Sequence, residues 1–284
     1  MLRCWLFVPA ARERMLESAT RSAADALVLD LEDGVAPSQK AAARKLARAW
    51  APRLATKRRR VFVRVNGLRS GRTRDDLLAV CVKGVSGVVV PKVESAQDLR
   101  DLDVLLREAE LANAVRPGDI GTVPLIESAR GVLRCEDIVR ATDRVLALSI
   151  GAEDYATNIG IERRADGAGL DHIRSVVVQV AVAYGLQPVD APWVDYRDGA
   201  GLLEDAERGR ALGLKGKYAI HPDQVPIIQR VFRPSETEVA LAQRIVDAYD
   251  AAQGTAGAIG LDGMMIDAPV VERARAIIAA ARRR

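Results

Sequence analysis

Eight short runs of apolar, largely β-branched or aromatic residues recur along the chain, and the stretches between them place apolar residues at helical spacing. The runs fall at residues 4–8, 26–29, 61–65, 87–90, 123–126, 145–150, 187–190 and 217–220. The intervening helices include residues 95–111, with Leu99, Leu102 and Leu106 on one side, and residues 171–184, where Ile173, Val176, Val177, Val180 and Tyr184 form a stripe. Strands that alternate with helices pair in parallel, because each helix returns the chain to the same end of the sheet. Eight such units in 284 residues predict a TIM (β/α)8 barrel before a doubly wound sheet. The barrel should occupy residues 1–233, followed by a C-terminal helical arm or lid over residues 234–284. In the arm, helices at 235–252, with Ser235 as N-cap, and at 269–283 flank a Gly-rich connector at 254–263 and the segment Met264-Met265-Ile266-Asp267. That pattern reads as a flexible arm carrying an apolar-flanked carboxylate.

Composition narrows the function classes. Hydrophobic residues at 49% and charged residues at 28% are globular values, which rules out a disordered chain. No apolar run approaches the roughly 18 residues of a membrane span, and the short apolar stretch near the N-terminus runs at once into charge, so neither a span nor a signal peptide is expected. Cys4, Cys81 and Cys135 fit neither a disulfide framework nor a Cys-x-x-Cys site, which points to a reducing cytoplasm. The net charge of +4 is concentrated in runs at residues 57–60 and 282–284, and with aromatic residues at 4% nothing suggests a stacking surface for nucleic acid. His172 and His221 are the only histidines, too few for a His-rich metal site.

In a TIM barrel, polar residues at the C-terminal ends of the strands converge on one mouth, where active sites lie. Strand two ends in Asp30-Leu31-Glu32-Asp33, strand three carries Arg64 and Asn66, and strand four runs into Lys92 and Glu94. Strand five ends at Glu127, strand six at Gly151-Ala152-Glu153-Asp154, and strand eight delivers His221. Such carboxylates suit a hard divalent ion, Mg²⁺ foremost, since it takes one or two carboxylates and keeps other positions for water and substrate. Glu127 and Asp154 form the natural pair; salt bridges to Lys92 and Arg64 are the alternative. Asp30, Glu32 and Asp33 fit a supporting role behind the metal, and Asp33 fits equally a cap for a helix near Ser38. His221 by itself fits a structural histidine better than a catalytic one.

Several familiar devices are missing from the sequence. No glycine-rich dinucleotide fingerprint, P-loop or Gly-x-Ser-x-Gly elbow occurs. Lys92 at a strand end invites a Schiff-base aldolase reading, but the neighbouring carboxylates favour its charged form.

The strand-end segments Leu6-Phe7-Val8-Pro9, Leu29-Asp30-Leu31-Glu32-Asp33-Gly34-Val35, Val63-Arg64-Val65-Asn66, Val90-Pro91-Lys92-Val93-Glu94, Ile126-Glu127-Ser128-Ala129-Arg130-Gly131, Gly151-Ala152-Glu153-Asp154, Ile220-His221-Pro222 and Gly263-Met264-Met265-Ile266-Asp267 together resemble the citrate lyase β subunit-like family, which includes malyl-CoA and citramalyl-CoA lyases. The resemblance covers nearly the whole chain. It implies Mg²⁺ on Glu127 and Asp154, with Asp30, Glu32, Asp33 and Lys92 around them, and Arg64 on the substrate, where it would stabilise an enolate oxygen. Phe7, Arg12, Arg14, Glu153, Ile220 and His221 would contact acyl-CoA substrate, and Asp267 would act as acid or base in a neighbouring subunit's mouth. One departure is Ala10-Ala11, where the family usually has glycine after the proline.

The implied function is Mg²⁺-dependent cleavage of a 3-hydroxyacyl-CoA, citramalyl-CoA or malyl-CoA, to acetyl-CoA and a 2-keto acid. The implied assembly is a homo-oligomer, trimer or hexamer, with no nucleic-acid or membrane partner. The alternatives are a citrate lyase β subunit working with an acyl-carrier partner, a malyl-CoA thioesterase, or, from a different class, a non-catalytic nucleic-acid-binding barrel.

Overall fold

The computed structural model describes residues 1–162, 167–252 and 257–282. The chain divides into two compact units, residues 2–229 and residues 230–284. In the first, strand and helix alternate: β1 (Cys4–Pro9), α1 (Glu13–Ala19), β2 (Ala26–Asp30), α2 (Lys40–Leu54), β3 (Arg60–Arg64), α3 (Thr73–Val80), β4 (Gly87–Val90), α4 (Ala96–Ala112) and β5 (Gly121–Ile126). There follow α5 (Ala129–Leu133), α6 (Cys135–Val139), β6 (Ala147–Ile150), α7 (Ala152–Ile159), α8 (Asp171–Ala183), β7 (Gln187–Val189), α9 (Gly199–Ala211), β8 (Lys217–Ala219) and α10 (Gln224–Val231). The strands lie in the order β7-β6-β5-β4-β3-β2-β1-β8, every pair parallel. A parallel bridge between Asp190 and Lys217 joins the two ends, with the Asp190 amide donating to Gly216 O at 2.8 Å and the Tyr218 amide to Asp190 O at 3.0 Å. The sheet is therefore the expected TIM-like barrel.

Period-two alternation sorts the strand residues into two buried layers. Trp5, Val28, Phe62, Val89, Val123, Leu125, Val189 and Tyr218 form one core cluster, with the Trp5 and Phe62 ring centroids 4.5 Å apart. The alternate residues Leu6, Leu27, Leu29, Val61 and Val63 are also buried, as expected of strands covered on both faces. The seventh strand is only three residues long and contains Pro188, whose missing amide leaves the ladder thin there. A buried ionic quartet lies at this seam. Arg174 Nε and Nη2 meet Asp190 at 3.0 and 2.9 Å, Arg174 Nη2 meets Asp205 at 2.7 Å, and Lys217 Nζ reaches both carboxylates at 2.7 and 2.6 Å.

In the second unit, α11 (Glu236–Ala251) and α12 (Ala268–Arg282) flank an antiparallel hairpin, β9 (Ile259–Leu261) and β10 (Met264–Ile266). Ser235 caps α11 with a full capping box to Glu238. Ala242, Ile245, Val246, Ile266, Val271 and Ala274 form a small separate core. The flexible connector expected at 254–263 is corrected here: residues 253–256 lie outside the described residues, and the remainder enters the hairpin. Asp262 and Gly263 turn it, both at positive φ (50° and 78°), the geometry that a two-residue Asp-Gly turn adopts. The helix expected at 269–283 begins one residue earlier, and Arg283 lies outside the described residues.

Candidate active site

Asp30 closes β2, and its carboxylate folds the turn that follows by accepting the amides of Glu32 and Gly34, each at 2.9 Å. Gly34 is required there, since a Cβ would stand 2.5 Å from Asp30 Oδ2. Arg64 ends the neighbouring strand in register with Asp30, and its guanidinium grips that carboxylate as a fork, Nε to Oδ1 and Nη2 to Oδ2, both at 2.7 Å. Its Nη1 lies 3.0 Å from Glu32 and 3.6 Å from Asp33. The Phe7 ring sits 4.8 Å from the guanidinium carbon. Burial opposes ionisation of Asp30, but the hydrogen bonds and charge of Arg64 outweigh it and hold the carboxyl below its usual range. Burial likewise disfavours the Arg64 cation, and Asp30 outweighs it, so the guanidinium stays charged. The helix cap considered for Asp33 is not made: Ala36 occupies the N-cap position of the short helix at Pro37–Gln39, without a side-chain cap.

Glu127 follows β5 directly, and its Oε1 accepts the Lys92 amide at 2.6 Å. Lys92 holds that amide in place with φ at +57°, a left-handed conformation that costs a residue bearing a Cβ and marks local strain. Across the mouth, Gly151 leaves room for Glu127, because a Cβ there would stand 2.0 Å from Oε2. Asp154 lies on the first turn of α7, with its side chain 48% exposed. The Lys92 ammonium reaches within 3.9 Å of both Glu32 and Asp154. Burial works against that cation, and the carboxylates of Asp154, Glu32, Glu127 and Asp33 outweigh it, so Lys92 is a firmly charged lysine rather than a Schiff-base nucleophile.

The mouth is short of positive charge. Desolvation, then repulsion from Asp154 and Glu32, pushes the Glu127 carboxyl up to about 8; desolvation is also the first cause that carries Glu32 to about 7, against the pull of Arg64. Glu127 and Asp154 both line a cleft of about 840 Å³ with Glu32, Asp33, Asn66 and Lys92. They also line a recess of about 140 Å³ with Phe7, Arg64, Leu125, Ile150 and Tyr218. Among the described residues no group of three or more His, Cys, Asp or Glu side chains is placed to cage a metal. Two carboxylates that repel one another beside an open cleft, Glu127 buried and Asp154 half exposed, fit instead a hard divalent ion that keeps places for water and substrate.

The other expected site residues are distributed as follows. Glu153 lines the recess from α7. Phe7, Ile220 and His221 line a third cleft of about 440 Å³ with Met15 and Arg21, and the His221 ring stacks on Tyr196 at 4.8 Å. Arg12 and Arg14 are exposed at the start of α1, and the arginine that lines this cleft is Arg21, which is not among the expected site residues. Tyr218 of the recess is not among them either, although alternation from Lys217 points it inward. Ala10 adopts no positive φ, so alanine fits where glycine was expected. Asp267 lies in the second unit and caps α12, its Oδ1 accepting the Val270 amide at 3.3 Å. Of its apolar neighbours Ile266 is buried, whereas Met264 and Met265 are exposed.

The acidic residues and the clamped arginine thus gather at the C-terminal mouth of a parallel barrel, the face where enzymes of this fold carry their active sites. The profile of the HpcH/HpaI aldolase/citrate lyase family matches residues 3–222, and the chain belongs to that family. It is 35% identical over 280 residues to the citrate lyase subunit beta of Escherichia coli (strain K12), covering 98% of this chain and 93% of that protein. It is 34% identical over 297 residues to the L-malyl-CoA/beta-methylmalyl-CoA lyase of Cereibacter sphaeroides (strain ATCC 17029 / ATH 2.4.9), covering 97% and 93%. Protein CitE from Mycobacterium tuberculosis, solved in complex with magnesium, acetoacetate and coenzyme A, superposes with a TM-score of 0.80 at 34% identity, covering 98% of this chain and 97% of that one. The family is one of lyases and aldolases, so the chain is an enzyme of that type.

Proposed function

We propose that the protein is a Mg²⁺-dependent lyase that cleaves a 3-hydroxyacyl-CoA, citramalyl-CoA or malyl-CoA, to acetyl-CoA and a 2-keto acid. The observation that carries this reading is that Glu127, Asp154 and Arg64 line one recess, so a carboxylate pair and a fixed cation border the same small volume. Glu127 and Asp154 would hold the ion, which when bound supplies charge to orient the carboxylate and hydroxyl of the malate-like end and to lower the hydroxyl pKa. Arg64 stabilises the oxygen on which enolate charge develops, and its fork to Asp30 removes the cost of orienting it during the reaction. Asp267 delivers the proton to the acetyl-CoA carbanion, from an arm contributed by another subunit of a trimer or hexamer. Residues 1–233 then form the catalytic barrel and residues 234–284 the lid. Phe7, Ile220 and His221, with Arg12 and Arg14, receive the coenzyme A moiety; Glu153 contacts the acyl-CoA substrate from the recess, and Glu32, Asp33 and Lys92 balance charge around the ion.

Cys4, Cys81 and Cys135 are free and buried, which suits a reducing cytoplasm, and among the described residues no helix is long and apolar enough to cross a membrane. The test is a coupled assay of the purified protein with Mg²⁺ and a panel of 3-hydroxyacyl-CoA esters. Keto acid and acetyl-CoA should appear together and vanish with chelator. Free CoA without keto acid would identify a thioesterase, and turnover only with an acyl-carrier partner would identify a citrate lyase β subunit, the reading favoured by the likeness to the Escherichia coli protein.

A further inference from the structure

Tyr218 stands at the centre of β8, paired in register with Trp5 of β1. Its neighbour Lys217 points outward into the ionic quartet at the seam, so period-two alternation turns Tyr218 into the barrel. There its ring packs on Phe7, with centroids 4.8 Å apart, and edge-on to Trp5 at 6.0 Å. Tyr218 is 1% exposed, and its hydroxyl has no hydrogen-bond partner. Ser149 lies beside the phenol, but the Ser149 hydroxyl donates to Pro124 O at 3.1 Å and makes no hydrogen bond with it. Burial pushes the phenol well above its ordinary pKa, against smaller pulls from Ser149 and the Arg64 charge. The group keeps its proton and is a donor.

A buried tyrosine hydroxyl usually finds a partner, because an unmade hydrogen bond costs the desolvation of the group. A phenylalanine would make the same ring contacts without that cost. Tyr218 lines the recess of about 140 Å³ together with Arg64, Glu127 and the apolar side chains of Leu125, Ile150 and Pro192. Arg64 shares its wall, since the guanidinium carbon lies 4.8 Å from the Phe7 ring on which Tyr218 packs. The apolar side chains accept no hydrogen bond, and the carboxylates of the recess leave the phenol unbonded, so its acceptor must arrive with a ligand. A recess of this size suits a small acid rather than a coenzyme. An oxygen that draws a neutral donor and a guanidinium together is that of a carboxylate or a polarised carbonyl.

We propose that Tyr218 is a further substrate-contacting residue, whose hydroxyl donates a hydrogen bond to an oxygen of the small 2-oxo acid held in the recess. This role rests on the assignment of the recess to the reacting end of the lyase substrate, and it adds a neutral donor to the Arg64 cation. It differs from a packing role in one measurable respect. Removing the hydroxyl should weaken ligand binding without weakening the fold, because the ligand-free protein gains nothing from it.

The test compares Tyr218→Phe with the wild type in two measurements: affinity for pyruvate and for glyoxylate at saturating Mg²⁺, followed by NMR titration, and the Tm of the ligand-free protein. The dissociation constant of the bound oxo acid should rise about tenfold, the scale of one lost hydrogen bond to a charged acceptor, while the Tm should equal or exceed that of the wild type. Tyr184→Phe, which removes an exposed hydroxyl bonded to Glu136 outside the recess, should leave the affinity unchanged. Failure of the wild type to bind either acid, unchanged affinity in Tyr218→Phe, an equal loss in Tyr184→Phe, or a lowered Tm in Tyr218→Phe would each overturn the role, the last by returning the hydroxyl to the core as a partner of Ser149. Oxo-acid binding that depends on Tyr218, in a protein that cleaves no 3-hydroxyacyl-CoA ester, would refute the lyase reading and leave this contact standing.

Discussion

Arg64 is oriented before any substrate arrives, because both carboxylate oxygens of Asp30 hold its guanidinium at 2.7 Å. A lysine keeps the charge but presents no planar fork, so it can satisfy Asp30 or the reacting oxygen but not both. Arg64→Lys should lower kcat by about two orders of magnitude, the scale seen for a lost electrostatic donor; a change confined to KM would show that Arg64 only holds the ground state. Glu127 supplies a pH signature. Its folded carboxyl titrates near 8 whereas the ordinary value is 4.5, so between these values the metal-free folded state keeps a proton that the unfolded chain has lost. Stability of the metal-free protein should therefore fall as pH rises through that window, by at most about 1.4 kcal/mol per pH unit. Glu127→Gln, which cannot ionise, should flatten the dependence of Tm on pH measured in chelator. An unchanged profile would refute the assignment of that slope to Glu127.

At the scale of elements, Asp267 has two separable duties, since it caps α12 and is proposed to move a proton. Asparagine caps a helix as well as aspartate does but has no acidic proton. Asp267→Asn should keep the Tm of the wild type and lose lyase activity, whereas Asp267→Ala should lose the activity and about 1 kcal/mol of stability as well. An active Asn variant would reduce Asp267 to its cap.

The same arm shows where the sequence stopped being legible. Strands such as β1, β2 and β4 are legible because burial on both faces writes a continuous apolar run, whereas β7, with Gln187 and Pro188, carries hardly any; Ser235 is legible as a cap because it precedes a clear helical period. The hairpin Ile259–Leu261 with Met264–Ile266 reads as connector in the sequence, since its strands are three residues long and its glycines suggest slack; the local signal is the Asp262-Gly263 pair between apolar residues. Mouth residues such as Asp30 and Glu127 stood out at strand ends, whereas Tyr218 and Arg21 carry no pattern that separates cleft lining from core or surface.

For the molecule as a whole, the weak place in the wall is the seam between β7 and β8, and the Arg174, Asp190, Asp205 and Lys217 quartet there was hidden from sequence because charged residues are ordinarily assigned to the surface. All four side chains are buried and balanced two against two. Lys217→Met removes one cation and strands a carboxylate without water, which should cost about 3–5 kcal/mol, read as a lowered midpoint in urea. A small effect would mean that water reaches the seam.

The assembly itself is tested by mixing. If Asp267 serves the mouth of another subunit, then Asp267→Asn and Glu127→Gln chains, each inactive alone, should regain activity when co-assembled. In such hybrids a mouth with Glu127 intact from one chain can receive an arm with Asp267 intact from the other. If the arm serves its own barrel, no such pairing arises, and hybrids shown by mass to contain both chains will stay inactive. Recovered activity should rise with the fraction of mixed neighbours and disappear when the two variants are kept in separate oligomers.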